Sequence, residues 1–249
     1  MITSIFIDAK LPIVPGMKKL SDFEVKNWFG EFPDVGGVPY AGYYFGRYSR
    51  DITLNNFNVG NEAVLYGAIN NDAGYISVNN TNYIDTLERA SEAVSIGIRI
   101  RKRGDISGGI AWCIADFSGT GGGGVGFALG ITSDGKIRFS AQNSQQAMSS
   151  VLINIPASIS VGDNMAITAN ITPGIIELSV YDPETQQSST VNSSLPGRRT
   201  AGINNILIGR KTDYDTSGLY SDISAALIIN GTLSAMEHTA VQQFLYNMD

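Results

Sequence analysis

Asp116 to Gly130 reads DFSGTGGGGVGFALG, and Gly119-x-Gly121-x-x-Gly124 within it has the spacing of a dinucleotide-binding loop. The chemistry of such a loop is phosphate capture by backbone N–H groups where a strand turns into a helix. Here VGFALGI follows, which alternates as a strand and leads into another hairpin, and the Lys-Ser/Thr of a phosphate loop is missing. The glycines are therefore read as a strand-to-strand connection at a rim, where glycine permits turns that other residues cannot make. Hydrolysis of a glycosidic bond needs two carboxylates roughly 5–10 Å apart, which a strand supplies from alternate positions as E-x-D-x-E. Glu177, Asp182 and Glu184 come nearest to this, but Asp182-Pro183-Glu184 reads as a turn. The single histidine, His238, falls in the first turn of a C-terminal helix and reads as a surface residue, so no triad forms around it. The single cysteine, Cys113, lies in an apolar run with no base nearby in sequence and reads as a buried, inert thiol. One histidine and one cysteine do not make a zinc site.

Two groups of residues remain. RKTDYDTSGLYSD carries Asp213, Asp215 and Asp222, oxygen donors suited to a hard cation such as calcium, with solvated turn aspartates as the alternative. Aromatic faces stack on sugars while carboxylates and amides take the hydroxyls. Tyr214 and Tyr220, beside Asp213 and Asp215, fit that pattern as a ligand site. Tyr40, Tyr43, Tyr44, Phe45 and Tyr48 form a second aromatic group, read as an interface onto the main domain or onto another subunit.

The elements that must position these residues are mostly strands. AVSIGIRIRKR alternates Val94, Ile96, Ile98 and Ile100 against small or basic residues, a half-buried strand with its charges on an open face. GGIAWCIADF reads as a central strand. VGFALGITSDGKIRFSAQ is a hairpin turning at Ser133-Asp134-Gly135, and NMAITANIT with IIELSVYDPE is another, turning at Pro173-Gly174. NILIGRK and YSDISAALIIN complete the series. Short strands at close spacing with turn signals between them predict a sandwich. At the C-terminus, Ser234 and Glu237 form a capping box, and Ala240, Val241, Phe244, Leu245 and Met248 recur at helical spacing, a stripe expected to lie on the sandwich edge. At the N-terminus, Ser21 with Glu24 predicts a short helix over 22–29, so residues 1–45 are read as an arm and 46–249 as the sandwich.

In this order the segments resemble the laminin-G-like, concanavalin A-like lectin-glucanase superfamily. YIDT, Tyr83 to Thr86, resembles the closing of that family's opening strand. SISVGDNMAITANITPGIIELSVYD resembles its pair of central strands, with Asn164-Met165 where Trp-His is often found. NILIGRK, followed by LYSDISAALIINGTLSAMEHTAVQQFLY, is similar to its closing pattern, Leu233-Ser234 and Glu237 falling on the "Ls..E" positions. Openings of the form RDxS…GNxA…YG, here from Arg50-Asp51 to Tyr66-Gly67, are similar to those of bacteriophage and bacterial surface proteins. The resemblance implies an all-β, concanavalin A-like jelly-roll β-sandwich with a short N-terminal arm and a C-terminal helix. It also implies a rim loop of the kind that holds calcium. The expected function is that of a non-enzymatic phage or surface structural protein with a glycan-binding or adhesion role. Its partner would be a glycan or host-surface polysaccharide, with other virion proteins or a homo-oligomer contacted through residues 1–45. A virion decoration or assembly protein binding only proteins is the alternative, and a glycoside hydrolase the third.

Composition narrows the classes further. The chain has 249 residues, 43% hydrophobic and only 16% charged, enough apolar residues for a large core and too few charges for a helix-rich surface. A formal net charge of −6, with one dense basic run at Arg99 to Arg103, argues against nucleic acid. No apolar stretch approaches the 18 or so residues of a membrane span. Met1-Ile2-Thr3-Ser4 lacks the basic start of a signal peptide, so synthesis in the cytoplasm without export and residence on a virion are expected.

Overall fold

A computed structural model describes residues 27–71, 73–213 and 218–248. Among the described residues, fourteen strands form two antiparallel sheets of seven, and one α-helix follows them. The first sheet has the order β1 (Val38–Tyr44), β14 (Ser221–Asn230), β5 (Val94–Arg101), β10 (Asn164–Thr172), β11 (Ile175–Asp182), β12 (Gln187–Ser194), with β3 (Ile76–Val78) also paired to β14. The second has the order β2 (Val64–Tyr66), β4 (Tyr83–Asp85), β13 (Leu207–Ile208), β6 (Ile110–Ala115), β7 (Gly126–Thr132), β8 (Lys136–Gln142), β9 (Ser149–Asn154). The chain is an all-β sandwich, as expected. The predicted hairpins are present as β7–β8 and β10–β11, and GGIAWCIADF supplies the interior strand β6.

Side chains alternate across each strand, and the inward set makes the core. On β5 this set is Val94, Ile96, Ile98 and Ile100, packed with Ile114, Phe127, Leu129, Phe139, Ile167 and Ile228 from neighbouring and facing strands. Cys113 lies in the same core, and burial pushes its thiol up to about 12.

The outward set of β5 is not open to solvent. Helix α1 (Ala235–Tyr246) crosses the outer face of the first sheet, over β5, β10, β11 and β12, and does not sit at its edge. Its Val241 and Leu245, with Met248 beyond it, join Ala166, Leu227 and Ile229 in a second core. A side chain at Gly97 would meet Leu245 Cδ1 at 2.9 Å, so glycine there lets the helix approach the strand. Arg99, expected on an open face, is 7% exposed, and its Nη1 donates to the carbonyl of Met248. The capping box is formed: Ser234 Oγ accepts from Glu237 N–H, and Glu237 Oε2 accepts from Ser234 N–H at 2.6 Å. Glu237 Oε1 also accepts from Gly36 N–H at 2.5 Å, tying the helix start to the segment before β1.

Val38–Tyr44 pairs along its length with β14, so residues assigned by sequence to the arm supply an edge strand of the sandwich. Tyr43 and Phe45 point into the main core, and Tyr44 joins the outer one, where Trp28 stacks on it at 3.8 Å. The helix read over 22–29 falls mostly outside the described residues, and Trp28 to Glu31 form a turn.

Candidate functional site

The glycine run begins where β6 ends. Asp116, next along the chain, is 1% exposed and roots the loop. Its Oδ1 accepts from Phe127 N–H at 2.6 Å and its Oδ2 from Gly202 N–H at 3.1 Å. A side chain at Gly126, where φ is +117°, would meet Asp116 Oδ1 at 2.5 Å, so this corner admits only glycine. Burial raises the Asp116 carboxyl to about 6, opposed by the Phe127 N–H, the nearby Arg199 charge and the Gly202 N–H.

From that root the loop rises through Gly121–Gly123, one 3-10 turn, and returns as β7, bridged by Ser118 and Val125. No helix follows the glycines, so the geometry of a dinucleotide site is absent. The loop tip is stitched to the turn after β8. Gln142 Nε2 donates to the carbonyls of Gly121 at 2.7 Å and Gln146 at 2.8 Å, and Gln145 N–H donates to Gly122 at 2.8 Å.

Between these two segments and residues 211–213 lies a cleft of about 570 Å³. Phe117 and Met148 give it apolar walls, Gln145 and Gln146 give it amides, and Lys211 with Asp213 gives it an ion pair. Lys211 is 9% exposed; its ammonium lies 4.2 Å from the Phe117 ring centroid and 5.2 Å from that of Trp112. The glycine wall carries no side chains, so backbone polar groups line that side. Apolar faces with a few convergent polar groups are the general make-up of a small-ligand site. Asp213 is the only described carboxylate in the cleft, and Lys211 already holds it. An acid–base pair of the kind a glycosidase uses is therefore not assembled there among the described residues.

The sequence-predicted residues are distributed as follows. Asp213 lies in the cleft, while Tyr214 and Asp215 are outside the described residues. Tyr220 is 39% exposed and sits beside Arg103, whose guanidinium is 5.9 Å from its ring centroid. Asp222 is buried, accepting from Ser77 Oγ at 2.6 Å and pairing with Arg103 at 2.9 Å. Asp213 and Asp222 thus each face their own cation, and among the described residues no group of three or more metal-ligating side chains gathers. Tyr43 and Phe45 are wholly buried and Tyr44 nearly so, while Tyr40 is half-buried and donates to the carbonyl of Arg89 at 2.9 Å. Burial, reinforced by Glu88, holds the phenols of Tyr40 and Tyr43 well above the usual range. Of the five, only Tyr48 is broadly exposed, at 67%.

His238 is not a surface histidine. It is fully buried between α1 and the first sheet, in a chain of hydrogen bonds. Thr239 Oγ1 donates to Ser188 Oγ, Ser188 to Gln242 Oε1, and Gln242 Nε2 to Thr168 Oγ1 at 2.8 Å. The Thr168 proton is thereby directed to His238 Nδ1, 2.6 Å away, and His238 Nε2–H donates to Glu177 Oε1 at 2.7 Å. Burial holds the imidazole below its ordinary pKa despite Glu177 and Glu237. Glu177 is thus committed to this network, and Asp182 accepts from Ser158 Oγ and Glu184 N–H in a turn.

No family model matches the chain, and no curated protein matches it. Solved structures match it in fold. The botulinum neurotoxin serotype G binding domain does so at TM-score 0.59 and 12% identity, over 83% of this chain and 50% of that one. The receptor binding domain of botulinum neurotoxin D gives 0.57 and 13%, over 82% and 52%. That of the mosaic serotype C/D, in a crystal with tetraethylene glycol and sulfate, gives 0.59 and 14%, over 83% and 50%. The chain spans about half the length of these domains. At such identities the likeness is one of fold, a sandwich of antiparallel sheets.

Proposed function

We propose that the chain is a non-enzymatic binding domain whose rim cleft takes a glycan of a cell or host surface. The observation that carries this reading is the composition of the cleft: an apolar floor at Phe117, two flanking glutamine amides, and a glycine wall that lets a bulky hydroxylated ligand approach backbone polar groups. Structural neighbours that are themselves receptor-binding domains support a binding role. The phage or bacterial-surface setting rests on the sequence resemblance, and calcium enters as a condition of the test.

Purified protein applied to a glycan array, with calcium and with chelator, tests the reading. Binding to a defined glycan set, reduced at least tenfold by Gln145→Ala with Met148→Ala, is the expected result. Both residues are exposed, so the double variant keeps the fold. No binding under either condition contradicts the reading. A second reading, docking of another protein, is favoured by β2, where Val64, Leu65 and Tyr66 are each more than a third exposed on a sheet edge. Stable oligomers that a Leu65→Lys substitution dissolves would support it.

A further inference from the structure

Helix α1 buries four side chains, His238, Val241, Gln242 and Leu245. Val241 and Leu245 are apolar and belong to the outer core. His238 and Gln242, four apart and so on one face, seat the first half of the helix on polar groups of the sheet instead. Buried polar contacts hold a helix in place only while each donor has an acceptor. Around His238 the count closes with the imidazole neutral. Nδ1 accepts from Thr168 Oγ1 at 2.6 Å, and Nε2 carries the one ring N–H, donated to Glu177 Oε1 at 2.7 Å. Asn170 Nδ2 lies 2.9 Å from Nε2, but its two hydrogens have the carbonyl of Leu233 at 2.8 Å and Glu177 Oε1 at 3.3 Å to go to. Thr168 Oγ1 in turn accepts from Gln242 Nε2 at 2.8 Å.

A second proton on the imidazole upsets this arrangement. The new Nδ1–H points at Thr168 Oγ1, so the Thr168 hydrogen must turn to Gln242 Oε1, which reverses the chain of donors out to Ser188 and Thr239. The added charge also sits away from water, since His238, Thr168 and Gln242 are wholly buried. Glu177 of β11 and Glu237 of α1 are the titratable groups that face it, and both favour the cation. Among the described residues, β10 and β12 bring only the hydroxyls of Thr168 and Ser188 and the amide of Asn170. Glu177 is a quarter exposed, so solvent screens its pull, and burial outweighs the two carboxylates. Once the helix start lifts off the sheet, the imidazole is in water and ionises freely. We infer that His238 is an acid-sensitive latch: its protonation loosens the first half of α1 from the outer face of the first sheet while the two sheets stay folded.

Amide hydrogen exchange of the full chain, corrected for the intrinsic rate at each pH, tests this residue by residue. The open state titrates at the ordinary 6.5, so one proton raises the opening equilibrium by at most about thirtyfold between pH 7.5 and pH 5.0. The expected result is opening of residues 239–243 that is about five- to thirtyfold greater at pH 5.0, with no such rise in β7 and β8. His238 is the only histidine, so its ring resonance titrates without overlap, and its midpoint should fall below 6.5. His238→Gln keeps a donor and an acceptor at the site but does not ionise, and the rise should vanish. Glu177→Gln removes a charge that favours the cation, so the rise should grow toward its ceiling. That variant changes a part-exposed side chain and stays readable even where His238→Gln fails to fold. Equal opening at the two pH values, or a rise that survives in His238→Gln, overturns the inference. So does a rise that Glu177→Gln abolishes, which would give the titration to Glu177, or an equal rise in β7 and β8, which would mark global unfolding.

Discussion

Asp116 and His238 are buried titratable groups whose folded-state pKa values move in opposite directions. The Asp116 carboxyl stays protonated up to about pH 6 in the fold, while the unfolded one ionises near 3.8. The folded state therefore binds the extra proton in this window. The stabilisation is full below pH 3.8 and is lost as pH rises through 6, on the order of 3 kcal/mol in all. His238 gives the reverse slope, since its folded pKa is lowered: its stabilisation is present above 6.5 and is lost as pH falls below that value. Denaturant unfolding from pH 4 to 8 should show Asp116→Asn flattening the first dependence and His238→Gln flattening the second. The glycine run makes a sharper residue-scale prediction. A side chain at Gly122 meets nothing within 4 Å, so Gly122→Ala should change stability by less than about 1 kcal/mol. Gly126→Ala, pressed onto Asp116 at positive φ, should cost more than about 2 kcal/mol in the same assay. Little of this was legible in the sequence. Nothing near His238 in the chain foretells Thr168 or Glu177, and a histidine in a first helical turn is ordinarily a surface residue.

At the scale of elements, legibility followed the hydrophobic pattern. The β7–β8 and β10–β11 hairpins and helix α1 carry clear periodicity and cap or turn signals, and each forms over the residues the sequence predicts, although the helix lies on a sheet face and not on the expected edge. Gln187–Ser194, reading QSSTVNSS, is an edge strand whose mostly polar residues give no apolar alternation. Val38–Tyr44 was concealed by its tyrosines, which read as an interface because tyrosine suits both surfaces and half-wet cores. Helix α1 reads as amphipathic but does not say what it covers; only pairing Gly97 of β5 with Leu245 puts it on a sheet face. Leu245→Ala removes the side chain that fills that contact and should cost about 2–5 kcal/mol, seen as a lower unfolding midpoint with unchanged two-state behaviour. The candidate cleft was beyond sequence reasoning because three segments, near residues 117–122, 142–148 and 211–213, meet only after the sheets form. Asp213 alone was anticipated there.

Across the whole molecule, the segment that precedes residue 46 belongs to the sandwich as far back as Val38, and the aromatic side chains of Trp28, Phe29 and Phe32 pack against its outer core. Deleting residues 1–45 should therefore expose β14 and abolish cooperative unfolding, measured by circular dichroism. The molecule then presents a rim cleft of amides and an ion pair and, on the outer face of the first sheet, a helix whose start is held by buried polar groups. No helix among the described residues is long and apolar enough to cross a membrane. Binding at the rim is the central claim, and chemical-shift mapping with an array-selected glycan at saturation tests it most directly. The account predicts shifts concentrated on Phe117, Gly121, Gly122, Gln145, Gln146 and Lys211, lost in the Gln145→Ala, Met148→Ala variant. Shifts confined to other faces, or none at saturating glycan, would contradict it.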